Sequence, residues 1–121
     1  MIFMIRFMGN QDLIEGCKRA INRRMEIRRQ DNGGIMAFGM VQLAFAACAL
    51  GETEMAYDML VWLGNSYWNN NLVSTHDPKK TFNLDICGGY PSLVMKMMVY
   101  SEMWNYINKD NAVHDEFIME E

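Results

Sequence analysis

Apolar positions along the chain recur with helical rather than strand spacing, and four segments follow that period. Leu13, Cys17, Ala20, Ile21 and Met25 mark the first, a helix from about Asp12 to Arg29 whose start Asn10 or Asp12 can cap and whose other face is a stripe of arginines. Asp31-Asn32-Gly33-Gly34 ends it, because these residues accept left-handed backbone and compete for backbone hydrogen bonds. The second segment, I-M-A-F-G-M-V-Q-L-A-F-A-A-C-A-L, Ile35 to Leu50, is apolar almost all the way round. A helix with no wet face must be surrounded by protein or lipid. At this length, and with Gly39 and Gln42 inside it, a membrane span is excluded and an inner helix of a layered structure is expected.

Gly51 closes that helix. The third runs from Glu52 to Trp62 or Gly64, opens with Glu52 and Glu54 where the helix dipole favours acids, and carries Ala56, Met59, Leu60 and Leu63 as its apolar stripe, with Asp58 opposite. Inner helix, glycine turn and amphipathic outer helix form one helical hairpin. From Asn65 to Tyr90 the helical period disappears, and a loop of that length inside a compact domain marks function or disorder; Tyr67, Trp68, Phe82 and Tyr90 argue for order. Pro91 suits the first turn of a fourth helix reaching about Tyr106. Residues 1–107 then read as one unit and 108–121 as an acidic tail.

Composition narrows the function classes. With 121 residues, half of them hydrophobic and a fifth charged, the chain has the size and balance of one globular domain or part of one. Its net charge of -4 is uneven: Met1 to Gln30 holds seven basic residues against three acids, the remainder four against twelve. Arg23, Arg24, Arg28 and Arg29 have the charge to contact phosphates, but the solvated face of a helix is the commoner use of such a stripe, and no nucleic-acid or membrane partner is expected. Cys17, Cys48 and Cys87 are odd in number and widely spaced, without a CxxC or a histidine pair at zinc-ligand distance, so neither a disulfide framework nor a metal site is expected, and no cofactor. Thirteen methionines are suited to filling irregular gaps between helices.

The polar loop S-T-H-D-P-K-K-T-F-N-L-D-I-C-G-G-Y, Ser74 to Tyr90, holds the candidate chemistry. Taken in order, A-I-N-R-R-M-E-I-R-R-Q-D-N-G-G-I-M-A-F-G, L-A-F-A-A-C-A-L-G-E-T-E-M-A-Y-D-M-L, N-L-V-S-T-H-D-P-K-K-T-F-N-L-D-I-C-G-G and M-K-M-M-V-Y-S-E resemble the late part of the catalytic domain of glycoside hydrolase family 95. The resemblance spans Ala20 to Glu102, about two thirds of the chain. That family contains α-L-fucosidases and some α-L-galactosidases on an (α/α)6 barrel of alternating inner and outer helices. The implied fold is therefore all-α, helical hairpins from an incomplete (α/α)6 toroid, and the implied partners are a carbohydrate substrate and the remainder of the catalytic domain. An extracytoplasmic location follows if the full-length protein behaves as the family does.

Family members read N-L-F-D-x-H-P-P-F-Q-I-D-G-N-F-G where this chain reads N-L-V-S-T-H-D-P-K-K-T-F-N-L-D-I-C-G-G. Through the shared Phe82-x-x-Asp85, the resemblance places Asp85 in the catalytic apparatus that activates water with asparagines, while a glutamate elsewhere is the general acid. It places His76 against the sugar. Asn83, Phe82 and Trp68 are further candidate substrate contacts: Tyr67, Trp68, Phe82 and Tyr90 have faces that can stack on the apolar faces of sugars, although aromatics closing a loop against a core are the commoner case. Inverting hydrolysis needs two carboxyl groups about 6.5–9.5 Å apart, and no second carboxylate here stands out for the role, so the chain alone is expected to be inactive. The loop also departs from the family pattern. Three extra residues separate His76 from Phe82, Cys87 replaces an asparagine, Gly88 a phenylalanine, Ile35 a histidine and Phe38 a tryptophan, which together predict an altered pocket wall. Read without the resemblance, Asp85 is more readily a carboxylate that caps the fourth helix or bonds loop amides, and A-L-G-E-T-E-M-A-Y-D-M-L suggests, as the alternative, one hairpin of a tetratricopeptide-like interaction module, against which the absence of a repeat and the long loop both count.

Overall fold

The computed structural model describes residues 10–31 and 36–99. Among them the regular structure is entirely helical: α1 (Gln11–Gln30), α2 (Ala37–Ala49), α3 (Thr53–Ser66) and α4, which covers residues 85–99. None of these helices is long and apolar enough to cross a membrane. The Asn32-to-Ile35 break, the end of the fourth helix and the acidic tail lie outside the described residues.

Helix α1 begins where Asn10 accepts a hydrogen bond from the Leu13 amide (3.1 Å), satisfying one of the donors a helix start leaves unpaired. Its buried stripe is Ile14, Ile21 and Met25. The expected stripe is thus turned by one position at its start: Leu13 is 46% exposed and Ala20 is open, and the buried edge of α1 runs along Ile14, Ile21 and Met25. Lys18 ties α1 to the α2–α3 turn through an ion pair with Glu52 at 2.6 Å.

Helix α2 is the inner element. Ala37, Met40, Val41, Ala44 and Ala47 are fully buried and only Gln42 is open to solvent. Leu50 closes α2 with bonds back to the Ala46 and Ala47 carbonyls, and Gly51 takes the left-handed backbone (φ 77°) that turns the chain into α3. The amphipathic α3 lies back along α2 with Ala56, Met59 and Leu63 inward. Fully burying one such Met or Leu contributes roughly 1.5–3 kcal/mol, and Met25, Met40 and Met59 serve as the gap fillers expected of this methionine-rich chain.

Helix α4 starts six residues earlier than Pro91 suggests. Asn83 supplies the reason: its Oδ1 accepts from the Asp85 amide at 2.7 Å, so the side chain caps a helix that already exists before the proline. Gly88 and Gly89, read from sequence as loop residues, are helical instead. Gly89 is buried where α4 crosses α2, and a Cβ there would stand 3.0 Å from Val41 Cγ1 and 3.5 Å from Phe38 Cε2. Lys96, two turns further along α4, lies above the Phe45 ring at 4.8 Å. With α1, α3 and α4 around it, the near-continuous hydrophobicity of α2 is accounted for on every side but that of Gln42.

Candidate functional site

Residues 67–84 connect α3 to α4 and fold into a compact double turn. Two isolated antiparallel bridges, Trp68 with Ser74 and Thr75 with Phe82, draw the strands of the loop together. Backbone bonds from Thr75 N to Tyr67 O (2.8 Å), His76 N to Thr81 O (2.7 Å) and Asn83 N to Ser74 O (3.0 Å) complete the framework. Leu72 (φ 62°) and Lys79 (φ 57°) take the left-handed conformations that reverse the chain at the two tips. The two fully buried polar residues among those described, Ser74 and Thr75, are satisfied: the Ser74 hydroxyl donates to the Asn83 carbonyl and contacts Cys87 Sγ at 3.1 Å, and Thr75 Oγ1 accepts from Lys79 N.

The loop is anchored on the inner helix. The His76 carbonyl accepts the Ala37 amide at 2.8 Å, and this compensates for Met36, whose left-handed backbone (φ 70°) and apolar side chain leave α2 without a side-chain cap. Tyr67 is fully buried beneath the loop; burial pushes its phenol above the ordinary range, and Arg28 beside it pulls the other way. The Arg28 guanidinium also donates to the Met36 carbonyl at 2.9 Å. Gly39 makes that path possible, since a Cβ there would lie 2.8 Å from Arg28 Nη2.

Three of the residues singled out by sequence are joined in one chain of hydrogen bonds. Asn83 Nδ2 lies 3.2 Å from His76 Nδ1, and Asn83 Oδ1 takes the Asp85 amide. The backbone donor fixes the amide orientation, so its NH2 faces the imidazole; Nδ1 must then accept, and the ring proton belongs on Nε2. His76 therefore offers a donor away from Asn83. The Asp85 carboxylate is exposed in the first turn of α4, where the helix dipole favours it, and makes no hydrogen bond or ion pair among the described residues. Phe82 is paired through its backbone to Thr75 and is 62% exposed. Trp68 goes elsewhere: it meets Tyr90 edge to face at 5.9 Å between centroids, near Gly64, where α3 and α4 touch. It closes the loop against the core rather than joining the His76–Asn83–Asp85 chain.

Arg28 and Gly39, which help to position the loop, were not candidates from sequence, and Tyr67, one of the four aromatics read there as able to stack on a sugar, is buried beneath the loop instead. Arg28 looks like any other member of the arginine stripe, and only the approach of α1 to the start of α2 separates it from Arg24 and Arg29. No three His, Cys, Asp or Glu side chains among the described residues cluster as metal ligands would. Comparison with protein-family models, with curated proteins and with solved structures finds no match.

Proposed function

We propose that the chain is part of the catalytic domain of a glycoside hydrolase resembling family 95, in which α2 is an inner helix and α3 an outer helix of an (α/α)6 toroid. One observation carries the reading: the loop brings His76, Asn83 and Asp85 into consecutive hydrogen bonds at the start of α4, with the exposed Phe82 beside them. In this reading the Asp85 carboxylate activates water, His76 Nε2–H donates to a sugar hydroxyl and Phe82 packs on the ring. The general acid, about 6.5–9.5 Å from Asp85 in an inverting enzyme, comes from the remainder of the catalytic domain. The substrate is an α-L-fucosyl or related linkage in an oligosaccharide or polysaccharide.

Titration of the 121-residue chain with L-fucose, L-galactose and oligosaccharides carrying them, followed by amide chemical shifts, tests the proposal. Saturable shifts in residues 74–86, lost in Phe82→Ala and Asn83→Ala, are expected, with no hydrolysis of an aryl α-L-fucoside by the chain alone. Saturable binding of an extended peptide with no response to any sugar would reject it in favour of a tetratricopeptide-like interaction module built on the α2–α3 hairpin.

A further inference from the structure

Helices α1 and α2 do not close on one another. Between them runs a groove of about 610 Å³. One wall is a row on α1, Ala20, Arg24 and Ile27, and the other a row on α2, Gly39, Gln42 and Ala46. Each row repeats at three or four residues, so each is a single helix edge. Small residues on both sides let a third helix approach closely, and Ile27 is 49% exposed. Arg24 stands on the rim, exposed and without an ion pair among the described residues. The occupant that suits this groove is an amphipathic helix with an apolar ridge flanked by acids.

The chain carries such a ridge on another face. Along the outside of α3, Glu54, Tyr57, Asp58 and Val61 follow helical spacing; Tyr57 is 55% and Val61 41% exposed, and neither acid has an ion pair among the described residues. The ridge cannot fill the groove of its own protomer, because the opposite face of α3, Ala56, Met59 and Leu63, is already packed in the core. We propose that the α3 ridge of one copy docks in the α1–α2 groove of a second copy, with Tyr57 as the aromatic anchor and Glu54 and Asp58 facing Arg24. The two surfaces differ, so the contact is head to tail and propagates into short open assemblies or a ring. A single helix ridge in a single groove falls below the roughly 1,000 Å² of a stable interface, so association is weak and grows with concentration. It is independent of the sugar-binding proposal, whose residues lie on the 67–84 loop and the start of α4.

Sedimentation equilibrium of the full chain through the micromolar-to-millimolar range tests it. The wild-type average mass rises with concentration. Arg24→Glu, Tyr57→Ser and the double variant Glu54→Lys/Asp58→Lys each retain the helical circular dichroism signal and associate roughly tenfold or more weakly, since like charges then meet or the anchor is gone. Mixing Arg24→Glu with Glu54→Lys/Asp58→Lys restores association, because every ridge then finds a groove of opposite charge on the other variant. A wild-type chain that stays monomeric throughout, association that survives Arg24→Glu, or a mixture that stays as monomeric as its components would each overturn the proposal.

Discussion

Gly88 and Gly89 are neighbours in sequence and in α4, yet alanine at the two positions should act in opposite directions. An added Cβ at Gly88 meets nothing within 4 Å, so Gly88→Ala gains only helix propensity, up to about 1 kcal/mol. At Gly89 the same gain is set against a Cβ 3.0 Å from Val41 Cγ1 and 3.3 Å from Cγ2. Val41 is β-branched and held near one rotamer in its own helix, so it cannot swing aside. Overpacking of this kind costs about 1–3 kcal/mol. Propensity nearly cancels between the two variants, and Gly89→Ala should lie about 1–3 kcal/mol below Gly88→Ala in stability. For a domain of this size class the gap in Tm is at least about 4 °C. Urea unfolding followed by far-ultraviolet circular dichroism measures it, and a double-mutant cycle localises it: Val41→Ala should cost less in the Gly89→Ala background than in the wild type. Equal stabilisation by both alanines would refute the close crossing of α4 over α2.

Other outcomes follow from the caps, charges and thiols. Asn83→Ala should cost about 1–2 kcal/mol, because the α4 cap and the His76 contact go together, while Asp85→Asn should stay within about 0.5 kcal/mol of wild type; thermal melts of the two variants check this. Glu52→Gln removes the Lys18 ion pair, which is partly solvated and worth at most about 1 kcal/mol. The Glu52 hydrogen bond raises Lys18 above 10.5, so this contribution is whole below 10.5 and disappears as pH passes the folded value, where the variant and wild type should converge in stability. Burial raises the Cys48 thiol above 9.0, so iodoacetamide at mildly alkaline pH should modify the exposed Cys87 first and leave Cys48 unmodified, as read by peptide mass spectrometry. The same shift makes the folded chain hold a proton that the unfolded chain gives up, and stability should decline as pH rises past 9.0.

The helices were legible because their apolar periods are long and their punctuation is local. Asn10, Gly51 and the Glu52–Glu54 pair act through the nearest turn, and the observed ends of α1, α2 and α3 lie within a few residues of those read from them. The start of α4 was hidden because two signals conflicted. Proline and a glycine pair argue for a late start, whereas the asparagine that caps the helix sits eight positions before the proline and is a common loop residue. The facing of Leu13 and Ala20 was illegible for a different reason. Periodicity says that a face exists but not how far the neighbouring helix covers it, and α2 leaves part of α1 open. In the loop, His76 and Asp85 stood out as a lone histidine and a lone aspartate, and their roles came from the family resemblance, but their connection through Asn83 depends on Thr75 pairing with Phe82, which no local pattern announces. Trp68 illustrates the reverse, an aromatic suited to a sugar that is engaged by Tyr90 instead.

The bond from the Ala37 amide to the His76 carbonyl spans 39 positions of chain, whereas the α2–α3 hairpin closes through a turn of three residues, Leu50 to Glu52. Contacts of such different range form in sequence, local ones before those that must first close a long loop. The hairpin should therefore assemble first and the 67–84 segment settle on it late, leaving by local opening without global unfolding. The amide proton of Ala37 then becomes a clock for the loop: its exchange with solvent would report each release of His76 from the inner helix, while amides in the middle of α2 and α3 remain protected.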